Sequence, residues 1–245
     1  MATGSLVLMA LMIVGARSAG LVADLSNRLI AITTAFAGAE VLLFGALEMP
    51  GADVAVIVRG PTVTERVRRK ARTVGVWLNR DEVPIKGVPH YYAVASNRPL
   101  SELASESELA RHQIGVERVK LEAADGVSIG RSELQVFSDA LRRNKERSSL
   151  WLAEVGKVTF LGDRLFRTTL DFPTGVLPGN YQVQVLELRD GVVVSAQSSA
   201  LIISKVGLEA DIFNFAHKQS VLYGLLSILI AVGAGWLAAT IFQKR

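Results

Sequence analysis

The chain has 245 residues, half of them hydrophobic, with a formal charge of +4 and no cysteine. That excludes disulfides, Cys-ligated zinc and thiol catalysis. Of the 27 Lys and Arg, Arg17, Lys244 and Arg245 lie beside apolar runs at the two ends, which leaves 24 against all 23 Asp and Glu between them. So even a balance lacks the basic excess of a nucleic-acid binder.

Leu6–Val14 is an uncharged apolar run, too short to span a bilayer unaided. The small residues Ala16, Ser18, Ala19 and Gly20 follow it, so residues 1–20 read as a secretory signal, cleaved after Ser18 or Gly20. An uncleaved anchor and a core segment are the alternatives, because no Lys or Arg precedes the run.

Residues 21–206 read as one exported β domain. Leu29–Thr34, Glu40–Leu47, Asp53–Val58, the alternation of Val74, Val76 and Leu78, and Val88–Ala95 are short β-branched or apolar runs separated by turn residues, Pro50-Gly51 among them. The period changes over residues 99–148, which predicts a helical insertion. Ser105 and Glu108 stand in the S-x-x-E capping arrangement, and Ser132 opens a stretch with Leu134, Phe137 and Leu141 at helical spacing. Strand character returns at Lys157–Leu161 and Arg164–Phe172. Pro178-Gly179 then leads into Tyr181, Val183 and Val185, Arg189-Asp190-Gly191 closes a hairpin onto Val192–Ala196, and Ala200–Lys205 is the last strand. A tyrosine after a Pro-Gly turn and before alternating valines fits the corner of an immunoglobulin-like sandwich. The expected fold is therefore mainly β, an immunoglobulin-like β-sandwich with a helical insertion, followed by one transmembrane helix.

Residues 207–220 read as an amphipathic juxtamembrane helix carrying Leu208, Ile212, Phe215 and Ala216 on one face. Residues 221–242 hold no charge and reach about 33 Å as a helix, enough to cross a bilayer. With a signal ahead of it, this span places residues 243–245 in the cytoplasm and the domain on the far side of a bacterial inner membrane.

No stretch carries a strong catalytic or ligand signature. Gly126-Val127-Ser128-Ile129-Gly130 matches the G-x-S-x-G elbow but follows a polar stretch where that elbow needs a strand. His90, His112 and His217 share no metal-ligand spacing, and no phosphate loop is present, so no cofactor is expected. Two features suit contacts instead. The run from Arg59 to Arg72 holds Arg59, Arg66, Arg68, Arg69, Lys70 and Arg72 against a lone Glu65. Its Arg66, Arg68, Arg69, Lys70 and Arg72 form a basic cluster fit to dock on lipid headgroups or an acidic partner, or else a solvated hairpin face paired to carboxylates. Ala231, Gly235 and Ala239, with Gly224 and Ser227 near the same face, would let a second helix approach closely.

The runs Val67–Arg72, Gly75–Asn79, Tyr91–Ser96 and Arg98–Leu100, with Asn180-Tyr181, Asp190-Gly191, Tyr223–Leu225 and Gly235-Trp236, resemble a family of alphaproteobacterial transmembrane proteins with a single C-terminal span. The resemblance covers nearly the whole chain after the signal and implies an exported, anchored domain. It implies no catalytic residue, and its association with a sulfite-exporter-type permease implies a transport accessory. The expectation is a non-catalytic interaction subunit whose partners are the lipid bilayer and either a polytopic membrane transporter or a second copy of the chain. An envelope hydrolase using Ser128 is the alternative from another class. A solute-binding sandwich is a third, and it requires a concave pocket with convergent polar groups.

Overall fold

The computed structural model describes residues 20–73, 76–206, 216–217 and 219–242, without the side chains of 70–80 and 240–242. The signal reading at 1–19, the span of 207–215 within the juxtamembrane helix, Val74 and the tail 243–245 lie outside the described residues.

Two sheets face each other. The first has the order β1 (Leu21–Leu25), β3 (Ala39–Leu47), β11 (Leu165–Phe172), β10 (Thr159–Leu161). The second has the order β2 (Leu29–Ile32), β13 (Val192–Lys205), β12 (Gly179–Arg189), β4 (Asp53–Arg59), β7 (Tyr92–Ser96), β9 (Gly156–Lys157). The N-terminal segment is divided between them. β1 runs antiparallel to β3, and β2 then crosses over to run parallel to β13. With that split strand, the first sheet follows the A-B-E-D order and the second the G-F-C order extended by β7 and β9. The fold is a mainly β immunoglobulin-like sandwich, as the sequence predicts.

Strand burial explains why each run is a strand. β11 alternates exposed and buried along its whole length, with Phe166, Thr168, Leu170 and Phe172 facing inward. β4 and β7 are buried along nearly their full length, because both faces of the second sheet are covered there. On one side Val54, Val56 and Val58 share a core with Leu43, Phe166 and Leu170 of the first sheet. On the other, Ala55, Ile57 and Val94 meet Leu109, Phe137, Leu141 and Trp151 of the insertion.

That second cover is a hairpin, β5 (Thr62–Thr73) and β6 (Val76–Pro89), joined by the short β8 (Glu122–Ala123). The helices α1 (Leu100–Leu103), α2 (Glu106–His112) and α3 (Arg131–Arg147) pack beside it. Ser105 caps α2 by accepting from the Glu108 amide, but the Glu108 side chain does not complete a reciprocal box. It pairs instead with Arg111 and His112. α3 begins at Arg131, one residue before the predicted Ser132, with Phe137 and Leu141 buried as the spacing requires.

Several strands differ from their sequence readings. Val88–Ala95 is broken at His90-Tyr91, where the chain turns from the hairpin back into the sandwich. Lys157–Leu161 is two strands, β9 and β10, because the chain crosses from one sheet to the other at the buried Val158. Val192–Ala196 and Ala200–Lys205 are one strand, β13, since the polar residues between them still complete the ladder with β12. β1 has no counterpart among the predicted strands. The Asp190-Gly191 turn has positive φ at both residues (48° and 76°), the type I′ geometry of a two-residue hairpin.

Two details hold the sandwich shut. Tyr181, buried at the start of β12, donates its hydroxyl to the Leu177 carbonyl at 2.8 Å, which pins the corner before the strand. Its ring meets Tyr91 and Phe172, so the three aromatics plug that end of the core. Along the open edge, the Gln197 amide of β13 accepts from the Ala23 N–H at 2.7 Å and donates to the Ala23 carbonyl at 2.9 Å. One side chain thereby satisfies both backbone groups of Ala23 on the side of β1 away from β3 and ties the two sheets together. Replacing Gln197 with Ala leaves both groups of the 5 % exposed Ala23 unmet and is expected to cost about 1–3 kcal/mol. Urea unfolding followed by circular dichroism would measure this, and a loss below about 0.5 kcal/mol would show that water takes over the bonds.

The last described element is α4 (Ser220–Phe242), a helix whose span Ser220–Ala239 has mean hydropathy 2.1 and is not buried against the rest of the chain.

Candidate functional site

The basic cluster lies on the β5–β6 hairpin, where β6 supplies carboxylates in register. Arg68 pairs with Glu82, Arg69 with Asp81, and Arg66 lies 3.7 Å from Glu82. Arg69 also sits 3.8 Å from Glu133 of α3 and 5.5 Å over the Phe137 ring. Arg66, Arg68 and Arg69 are thus compensated at the surface, while the side chains of Lys70 and Arg72 lie outside the described residues. Ion pairs exposed this far are weak, so the arginines keep their capacity to exchange partners.

Gly224, Ser227, Ala231, Gly235 and Ala239 all fall on α4. A Cβ built at Gly224 or Gly235 would meet nothing within 4 Å, and the Ser227 hydroxyl donates to the Tyr223 carbonyl of its own helix at 2.8 Å. Ser128 is exposed in the loop between β8 and α3, and the strand ahead of it is only two residues long. His90 sits 3.1 Å from the Gly175 carbonyl and His112 3.4 Å from Glu108, in different parts of the domain. Among the described residues no three His, Asp or Glu side chains gather as metal ligands would.

The surface that stands out lies on the outer face of the first sheet. Val22 of β1, Ala46 of β3, Leu165 of β11 and Leu161 of β10 are directly opposite one another in register, a single apolar row across four strands. Val22, Leu165 and Leu161 are 66 %, 55 % and 48 % exposed. Phe44 extends the row along β3, 47 % exposed, between its cross-strand neighbours Asp24 and Arg167. An exposed apolar row beside charged neighbours is a candidate contact surface. β1 and β2 run in the direction of β13, so Val22 lies at the end of the sandwich opposite Lys205, the last strand residue before the span.

The sequence does carry a signal for this row. Glu40–Leu47 is apolar at almost every position, where an outer strand with one wet face should alternate. The same continuous pattern in Asp53–Val58 reflects a strand covered on both faces by its own chain. Composition alone does not separate the two cases.

A family described as "Putative transmembrane protein (Alph_Pro_TM)" matches residues 20–244. No curated protein matches the chain, and no solved structure does.

Proposed function

The chain belongs to this transmembrane family, and from that premise we propose that it is a membrane-anchored interaction subunit, auxiliary to a polytopic membrane transporter. The sandwich stands on the periplasmic side of a bacterial inner membrane, behind a cleaved signal, with α4 as the anchor and the C-terminus in the cytoplasm. The observation that carries the reading is the apolar row Val22–Ala46–Leu165–Leu161 with Phe44. It faces away from the domain's own core and sits at the end of the sandwich opposite Lys205, where it can reach a partner standing out of the bilayer. The unobstructed small residues of α4 offer a second, intramembrane contact with the same partner.

The test is affinity purification from native membranes with the unaltered chain and with a Phe44→Glu/Leu165→Glu variant. Both positions are exposed, so the fold should survive the change, and an unshifted Tm would verify that. The expected result is a stoichiometric polytopic protein that co-purifies with the unaltered chain and is depleted at least tenfold by the variant, since a buried charge without a partner costs several kcal/mol at an interface. Equal recovery with both chains would refute the docking face. Recovery of a second copy alone would replace the transporter with a homodimer.

A further inference from the structure

A groove of about 580 Å³ opens at the other end of the sandwich, the end where β13 leaves the sheet. Arg59 closes β4 there, opposite Gln182 of β12, and Lys120 faces it from the loop after the 3₁₀ turn Val116–Arg118. Asn180, Gln182, Gln113 and Thr62 supply further polar groups, and no Asp or Glu among the described residues lines the groove.

The state of Arg59 distinguishes this place from the rest of the surface. Its guanidinium is partly buried and its two hydrogen-bond partners are neutral, the Gln184 amide oxygen at 2.9 Å and the His112 carbonyl at 2.9 Å. The hairpin residues Arg66, Arg68 and Arg69 have carboxylates, and Arg59 has none within ion-pair distance among the described residues. Burial lowers its pKa from the ordinary arginine value, as expected for a cation that has lost water without gaining an anion. Two of the five guanidinium N–H groups are used, which leaves three to donate.

The walls are also fixed in advance. The Tyr92 hydroxyl donates to the Gln113 carbonyl and accepts from the Gly115 amide at 2.9 Å, which holds the loop that carries Lys120. The Gln113 side chain accepts from the Lys120 amide at 3.1 Å. At Gly60 a Cβ would come 2.9 Å from the Tyr181 ring, so only glycine lets the chain turn this tightly against the corner tyrosine.

We propose that this groove is a binding site for a phosphate group, held by Arg59 and Lys120 and oriented by the amides of Asn180 and Gln182. A planar guanidinium with free N–H groups matches two phosphate oxygens at once, and the lysine adds a second point charge. The phosphate belongs either to a small phosphorylated solute or to an anionic lipid headgroup, since the groove opens at the end of the domain from which the chain runs to the span.

The experiment titrates the full-length protein, in detergent, with inorganic phosphate by isothermal calorimetry, against chloride at matched ionic strength. Saturable binding in phosphate alone is expected, weakened at least tenfold in Lys120→Gln and in Arg59→Gln, because each removes a charge-assisted hydrogen bond. Lys120 is exposed and its substitution leaves the Arg59 network intact, so its result stands even where Arg59→Gln perturbs folding. No saturable binding, the same response in chloride, or unchanged affinity in Lys120→Gln would overturn the site. In a second arm, nanodiscs with and without phosphatidylglycerol compete with phosphate. Displacement by the anionic discs assigns the site to a lipid headgroup, and displacement only by soluble phosphate esters assigns it to a solute.

Discussion

Replacing Trp151 with alanine is expected to destabilise the protein by about 4 kcal/mol. Trp151 is 1 % exposed, and its ring meets that of Tyr92 with centroids 6.1 Å apart. Its indole N–H donates to the Pro89 carbonyl at 2.9 Å, across the junction where the hairpin returns to the sandwich. Truncation would empty the centre of the second core cluster, where the insertion meets the back of the second sheet. For a domain of this size the loss should lower Tm by roughly 10 °C. A Trp151→Phe variant separates the contributions: it keeps most of the packing but leaves the Pro89 carbonyl unmet, at about 1–3 kcal/mol. Thermal unfolding followed by circular dichroism measures both. A loss below about 1.5 kcal/mol for the alanine variant would mean that the insertion is not folded as a unit with the sandwich.

The second large effect is an asymmetry. Lys145 of α3 is buried, with 7 % of its side chain exposed, and its ammonium donates to Glu65 of β5 at 2.6 Å. Glu65 keeps about a third of its side chain in solvent. Removing the carboxylate by Glu65→Ala strands a cation inside the protein and should cost roughly 2–3 kcal/mol, below the range for a fully buried pair because of that exposure. Removing the lysine by Lys145→Met strands nothing, since Glu65 can turn to water, and should cost less than about 1 kcal/mol. The double variant should recover most of what Glu65→Ala loses. Urea midpoints of the four proteins form the cycle that reads this out. Equal losses in the two single variants would show that the pair contributes through packing and not through charge.

How much of this was legible in the sequence follows from which forces are local. The Tyr181 corner, the Asp190-Gly191 hairpin and the Ser105 cap are set within a few residues, by a hydroxyl's reach or by a φ that glycine allows, and each appears where the pattern puts it. The A-strand split and the sheet change at Val158 were invisible, because both depend on which edge a segment meets after the rest has folded. The row at Val22, Phe44 and Leu165 falls between these cases. Its residues are plainly apolar in the sequence, but only the assembled sheet tells an outer face from an inner one. Arg59 shows the same limit for charge. In the sequence it belongs to the arginine run that follows it, and the fold places it at the end of β4, where the carboxylates of β6 do not reach.

β13 is the last strand before the membrane anchor, hydrogen-bonded antiparallel to β12 along its length and parallel to β2 over Ile202–Lys205. A pull transmitted from α4 while a partner holds the far end would act along that strand and load its two ladders in shear, so that many bonds share the force and must yield together. Held at both ends, the domain would meet such a pull with these two ladders together.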